Sequence, residues 1–368
     1  MRRTPMTAVG PAEQFFVHDD DEPPRRKKKN KSARWILGAM ATLVVLGLVA
    51  AGAYLFSLHR SYSSNVSHFP ELSEEDAQEI LPPEEERPEP TEATNILLLG
   101  TDANGGSGDN EDLPRVPGGG RSDTLMLVHI PEDSDSVQVI SIPRDLWVEI
   151  PGGRGWHKVN AGLALGGENG HWLTAATVEQ LLDVRIDHVA AIDMLGFVGM
   201  VEALDGVRVN SSYPESFTTN EGYTFTPGSQ YMDADQALSF VRHRSSFPDG
   251  DLQRIRNQQA FIRAVIQEAA TPSTLANPVR TNDMVATFAE HMITDPDLTS
   301  TRAAALAWDG RGALNNISFS TLPTAGSGWS SDGQWIWHQD LEEQQRISQA
   351  MWEGTLDEYL NEDDAASE

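Results

Sequence analysis

From Trp35 to Phe56 the chain runs WILGAMATLVVLGLVAAGAYLF, 22 residues without a formal charge. At about 1.5 Å rise per residue, such a helix spans roughly 30 Å, the thickness of a bilayer's hydrocarbon. No polar face interrupts the stretch, so it predicts a membrane helix over residues 35–57. Arg25, Arg26, Lys27, Lys28, Lys29, Lys31 and Arg34 precede it, and only His59 and Arg60 follow closely. The positive-inside rule then places residues 1–34 in the cytoplasm and the rest of the chain outside. A cleaved signal peptide ending near Ala51-Gly52-Ala53 is the alternative. Its apolar region would normally run about 7–15 residues behind a short N-region, and neither feature is present.

The charge is divided by this stretch. Residues 1–60 carry 10 of the 27 basic and 5 of the 55 acidic residues, which leaves 17 basic and 50 acidic groups beyond them. A surface with a formal charge of 17 − 50 = −33 repels nucleic acid, whose binding relies on basic patches that release counterions. With only 34 residues on the cytoplasmic side, a DNA-binding role is disfavoured further. The chain has no cysteine, which removes disulfides, thiolate metal sites and cysteine nucleophiles, and is compatible with an extracytoplasmic location.

Organisation follows from composition. Residues 1–34 form a basic tail without a folding pattern. Residues 58–93 hold Pro70, Pro82, Pro83, Pro88 and Pro90 among many glutamates and are expected to be an extended spacer. A folded domain is predicted over 94–325, followed by an extension with an acidic tail over 326–368. The runs Ile96–Leu99, Thr124–Ile130 and Val137–Ile142 are apolar on both faces, as in strands buried between helical layers. Helices are predicted at 175–182, 194–204, 234–241, 252–269, 284–291 and 303–308. Strands are expected at 187–192, 207–209 and 317–321. The mixture predicts an α/β domain with three layers, α/β/α, around a central mixed sheet.

Charged residues gather where predicted strands end. Leu99-Gly100-Thr101-Asp102, Arg121-Ser122-Asp123-Thr124 and Ser141-Ile142-Pro143-Arg144-Asp145 are three such segments, the places where open α/β sheets bind ligands. The fourth runs from Arg242-His243-Arg244 to Asp251, Arg254, Arg256, Gln258 and Gln259. Lys158 is the only lysine after residue 31, yet five arginines fall between 242 and 263. In an acidic domain such a concentration points to a bound polyanion, because guanidinium forks match phosphate oxygens and keep their charge when buried. Arg254 and Gln258 share a helical face, and Asp251 sits where an N-cap belongs. Asp102 and Asp123 have the hard oxygens that a divalent ion such as Mg²⁺ takes.

Taken in order, the segments LGTD, GRSDT, SIPRD, HKVNAG, FVRHR and DLQRIRNQQ behind one membrane anchor resemble the LytR-CpsA-Psr family of Gram-positive cell-wall ligases. The resemblance implies a phosphotransferase that moves a glycopolymer from a polyprenyl-pyrophosphate carrier to a peptidoglycan hydroxyl, with release of polyprenyl phosphate. It further implies Mg²⁺ on Asp102 and Asp123, a lipid cavity, and head-group contacts from Arg121, Arg144, Lys158, Arg242, Arg244, Arg254 and Gln258. Arg121, Arg144, Arg244 and Asp251 would carry the catalytic roles. One position departs from the motif. Asn257 stands where the family usually has Arg before the Gln-Gln pair, and Arg256 projects about 100° away from it. A pyrophosphatase using the same residues, and a non-enzymatic lipid-binding wall regulator, are the competing readings. His243 and Trp-rich residues 329–337 are expected to serve packing, and Asp145 to form an ion pair within its loop.

Overall fold

The computed structural model describes residues 52–101, 122–133, 135–248 and 250–367. The expected membrane helix lies outside them apart from residues 52–57, as do Asp102 and Arg121. Among the described residues no helix is long and apolar enough to cross a membrane.

Seven strands form one sheet: β1 (Ser67–His68), β2 (Thr94–Thr101), β3 (Ser122–Ile130), β4 (Val137–Ile142), β5 (His188–Asp193), β6 (Met292–Thr294) and β7 (Ile317–Thr321). Their spatial order is β1-β6-β5-β2-β3-β4-β7. Neighbours β1 and β6, β5 and β2, and β4 and β7 are parallel, while the other three pairs are antiparallel, so the sheet is mixed as expected. The strands follow the apolar runs closely because most of these residues are buried on both faces. Leu97, Leu99, Leu125, Leu127 and Ile140 point to one side and are at most 1% exposed. Burying each such side chain contributes roughly 1.5–3 kcal/mol.

Helices α1 (Gly170–Leu182), α2 (Met194–Ala203), α3 (Ala234–Arg242), α4 (Asp251–Ala269), α5 (Pro278–Glu290) and α6 (Leu341–Glu353) complete the main frame. The first face of the sheet packs on Leu173, Val178 and Leu182 of α1 and on Ile347 and Met351 of α6. On the other face, Leu98 and Ala190 meet Phe288 of α5, and Ser141 meets Gln259 of α4. The chain therefore has helices on both sides of the sheet. Behind α3 and α4, a second apolar cluster of Phe217, Phe225, Phe240, Phe247 and Phe261 packs on the ribbon of Val207–Ser211 with Gly228–Met232. The expected strand at 207–209 belongs to this ribbon and not to the central sheet.

Two boundaries need correction. Residues 58–93 are not an extended spacer. A helix over 52–65 is followed by β1 at the sheet edge and a helix at Glu74–Ile80, and Phe69 and Ile80 are 2% and 5% exposed in the main core. Ser57 and Ser61 donate to Asn282 Oδ1 at 2.9 and 2.7 Å, and Tyr62 donates to the Leu298 carbonyl at 3.2 Å, which fastens the first helix to the domain. The prolines misled the reading because they fall between short elements, where proline is tolerated. Nor does the domain end at 325: the ribbon of Thr324–Trp329 with Trp335–Gln339 continues it, and Leu356 and Leu360 join α6 in the main core. Trp329 and Trp335 face each other across that ribbon and are 72% and 37% exposed, against the expected packing, because Ile336 takes the inward position.

Two buried histidines make stability depend on pH. His129 bonds Asn95 Oδ1 through Nδ1 at 2.7 Å, and His171 stacks on Phe69 at 3.8 Å. Burial pushes both down to about 4 from the ordinary 6.5. Folded, they stay neutral where the unfolded chain already binds protons, so stability is expected to be full above about pH 6.5 and to fall towards pH 4. Denaturant midpoints measured across that window should decline more gently in His171→Leu than in the parent; equal slopes would rule out His171 as a contributor.

Candidate active site

The site is assembled from chain segments that the sheet brings together. β4 ends at Ile142, and the backbone turns back at once after Pro143, with Leu146 N donating to the Pro143 carbonyl at 2.9 Å. Leu146 is fully buried and holds the loop down, leaving Arg144 and Asp145 at the sheet's end. A short ribbon, Trp147–Ile150 with Gly155–Lys158, returns Lys158 opposite Trp147, where its Nζ lies 2.7 Å from Asp145 Oδ1. β3 begins beside them with Ser122 and Asp123. Ser122 is fully buried, its hydroxyl donating to the Thr124 and Gly100 carbonyls at 2.6 and 3.1 Å.

Gly100 is required by this close approach. A Cβ on it would stand 2.8 Å from the Cβ of Thr124, which is not a flexible chain end. Gly100→Ala is therefore expected to cost about 1–3 kcal/mol as overpacking, measured as a lower unfolding midpoint. An unchanged midpoint would show that β2 and β3 can separate freely here.

The fourth segment supplies the arginines. α4 starts at Asp251, but Asp251 is not the N-cap that the sequence suggested: Gly250, at φ 43°, holds that place and no side chain caps the helix. Asp251 is thereby free to act as a hub. Its carboxylate lies 3.1 Å from Arg144 Nε, 3.3 Å from an Arg254 terminal nitrogen and 3.9 Å from Arg244. Arg144 also pairs with Asp123 and lies 3.6 Å from Asp145. Four cations thus interleave with three carboxylates, Asp123, Asp145 and Asp251. The ion pair expected of Asp145 with Arg144 is present, with Lys158 as a closer partner.

The electrostatics favour an incoming anion. Burial opposes the charge on Arg144, yet the Asp251, Asp123 and Asp145 carboxylates prevail and raise its pKa. For Arg254 the balance falls the other way. Burial lowers it, Asp251 opposes, and the Arg144 charge adds to the fall. Arginine stays protonated regardless, so Arg254 is a crowded, poorly solvated cation. It is 6% exposed, and its Nε has no hydrogen-bond partner among the described residues. Arg244 projects from the cluster with 58% of its side chain exposed. These two guanidinium groups retain donors for a ligand.

Other expected residues take varied places. Arg242 is exposed at the end of α3, and Gln258 is half-buried one turn after Arg254. His243 is 5% exposed, stacks on Phe217 at 5.4 Å and bonds Ser246 Oγ at 2.7 Å. It packs as expected and so braces the loop that carries Arg244. Asn257 is 1% exposed at the seam of α3 and α4, receiving the Gln253 amide at 3.0 Å and donating to the Phe240 carbonyl at 3.4 Å. The departure at 257 therefore falls in a helix contact.

Gln259 was missed as a structural residue: its amide reaches Ser141 Oγ at 2.9 Å and the Ser320 carbonyl at 2.7 Å, tying α4 to β4 and β7. The one available signal was a second glutamine, next to Gln258, on a helix whose other face is charged.

A mixed α/β sheet with a guanidinium–carboxylate cluster at its strand ends is the arrangement of a phosphate-handling protein. The chain belongs to the LytR_cpsA_psr family, whose model matches residues 55–353. It is 32% identical over 320 residues, 85% of this chain and 91% of the relative, to the polyisoprenyl-teichoic acid–peptidoglycan teichoic acid transferase TagU of Oceanobacillus iheyensis. The Bacillus mycoides protein of the same name is 34% identical over 245 residues, 66% of this chain and 73% of that protein. Among solved structures, protein gbs0355 of Streptococcus agalactiae superposes with a TM-score of 0.60 at 21% identity, covering 72% of this chain and 88% of that one. That likeness supports the fold.

Proposed function

We propose that this chain is a phosphotransferase that moves a glycopolymer from a polyprenyl-pyrophosphate carrier onto peptidoglycan. The observation that carries the reading is the cluster around Asp251, with Arg254 Nε unpartnered among the described residues and Arg244 exposed. Both relatives named above are transferases that join teichoic acid to peptidoglycan, which favours a glycan hydroxyl over water as the acceptor.

In the reaction, the acceptor's hydroxyl oxygen forms a bond to the phosphorus that bears the glycopolymer. The bond from that phosphorus to the bridging oxygen breaks, polyprenyl phosphate departs with the bridging oxygen and its electron pair, and the hydroxyl's proton passes to a carboxylate of the site and from there to water. Such transfers ask for positioning and charge stabilisation more than for covalent help. Arg254 and Arg244 would hold the pyrophosphate, Arg144 and Lys158 would border it, and Arg121, Arg242 and Gln258 would complete the head-group contacts. Asp251 acts by positioning, since it aligns three guanidinium groups.

A divalent ion fits the donors present. Among the described residues no cluster of three or more His, Asp or Glu side chains could hold a metal. Mg²⁺, however, is commonly bound by only one or two carboxylates, with phosphate oxygens and water completing its shell. Asp123, 42% exposed at its side chain, suits that role with Asp102, and the ion would neutralise charge gathering on the phosphates. The uncharged run before residue 57 would anchor the domain in the membrane, where the lipid carrier resides.

The test uses the full chain in detergent with Mg²⁺ and a radiolabelled polyprenyl-pyrophosphate glycan, with and without a peptidoglycan oligomer. Label moving onto the oligomer, with polyprenyl phosphate released and the reaction stopped by chelator, is the expected result. Hydrolysis independent of the oligomer would replace the ligase by a pyrophosphatase, and binding without turnover would leave a lipid-binding role.

A further inference from the structure

On the face of the sheet opposite α4, a groove of about 620 Å³ runs between α1 and α6. Gln180 of α1 lines it with Gln344, Gln345, Ser348, Gln349 and Trp352 of α6. No lysine or arginine is among its lining residues, which sets it apart from the cluster around Asp251 and makes a phosphate an unsuitable occupant. The volume lies within the ~300–1,000 Å³ usual for ligand sites.

Two observations favour a ligand in the groove. Gln344 is 3% exposed, yet its Nε2 has no hydrogen-bond partner among the described residues. A buried donor left this way is costly unless an acceptor arrives. Trp352 is held in a fixed pose, its indole N–H donating at 2.7 Å to the carbonyl of Asp183, the left-handed residue that ends α1. Even so, 42% of Trp352 remains exposed.

Side-chain amides both donate and accept, and a sugar ring offers hydroxyls that do the same. The C–H face of that ring is apolar and lies flat on an aromatic plane. A groove of amides, one hydroxyl and one indole, with Leu181, Leu182, Leu341 and Asp183 beside them and no cation in its lining, matches a neutral saccharide that offers both hydroxyls and an apolar face. We propose that the groove between α1 and α6 binds a neutral glycan segment at a site separate from the pyrophosphate cluster. The glycan comes either from the acceptor wall strand or from the polymer being transferred. Holding a long polymer at a second point raises its effective concentration at the first. The inference goes beyond the ligase reading and does not need it, because binding is measured without donor lipid or turnover.

Calorimetric titration of the full chain in detergent would use a peptide-free peptidoglycan tetrasaccharide with its lactyl carboxyls amidated, which makes it uncharged, and, separately, neutral hexose tetrasaccharides. At least one glycan is expected to bind with a dissociation constant in the millimolar range or tighter. Trp352→Ala and Gln344→Leu should each weaken that binding at least tenfold. Gln344→Leu replaces an unpaired buried amide by an apolar side chain of similar volume, so its unfolding midpoint should not fall, and lost binding cannot then be ascribed to misfolding. Binding of the peptidoglycan fragment alone would assign the groove to the acceptor, and binding of a hexose alone to the polymer. Failure of every glycan to bind, or binding undiminished in both variants, would overturn the proposal.

Discussion

Arg244→Ala is expected to lower transfer at least a hundredfold while the unfolding midpoint stays within about three degrees of the parent. The two halves of this result have different causes. Removing one donor aimed at developing negative charge costs about 10²–10³ in rate in comparable sites. Stability hardly changes because Arg244 is 58% exposed, and its contact with Asp251, at 3.9 Å, is long. Exposed pairs of that kind contribute about 0–1 kcal/mol. Label transfer and thermal unfolding on the same preparation check both halves. Normal turnover by this variant would sink the assignment of the cluster to the pyrophosphate. A large fall in midpoint would show instead that Arg244 is a structural residue.

Asp251→Ala should fail on both counts. The carboxylate is 12% exposed and serves Arg144 and Arg254, whose side chains are only 18% and 8% exposed. Taking one partner from a buried ion pair leaves the other charge uncompensated and costs about 3–5 kcal/mol. For a domain of this size, that lowers the midpoint by roughly 6–15 °C. Asp251→Asn keeps the shape and loses the charge, so it should retain part of the stability and little of the transfer. Saturating inorganic pyrophosphate should raise the midpoint of Asp251→Ala more than that of the parent, since an anion replaces the missing countercharge. A variant with parental stability and turnover would remove Asp251 from any organising role.

The sheet was legible because most of its strands are buried on both faces. Val137–Ile142 and Ile317–Thr321 match their expected limits, and α4 begins one residue before its expected start. The cluster was legible for a different reason. Basic residues are outnumbered in this acidic chain, 17 against 50 acidic ones beyond residue 60, so the concentration of arginine between 242 and 263 stood out. Other features left weak traces. Between Ser57 and Ile80 the inward-facing residues are widely spaced among glutamates and serines, and a strand of two residues has no periodicity to detect. The role of Asp251 was misread because an aspartate preceding an apolar run looks the same whether it caps the helix or faces a neighbouring arginine. Gln344 was invisible, since nothing in a sequence distinguishes an amide that has a partner from one that lacks it.

The main core also carries an order of events. Phe69 and Ile80 close it from one end of the chain, and Ile347, Met351, Leu356 and Leu360 from the other, while β1 pairs, among the described residues, with β6 alone, some 225 residues later (Ser67 with Ile293). A chain made from its N-terminus therefore carries the first apolar residues of this core unsheltered through most of its synthesis. Contacts so distant along the chain make folding slow and leave the sheet edge open to wrong partners in the meantime. Losing the last thirty residues would remove Ile347, Met351, Leu356 and Leu360 from that core and expose the apolar side chains left behind, so an early stop codon should yield an aggregating chain and not a shorter enzyme.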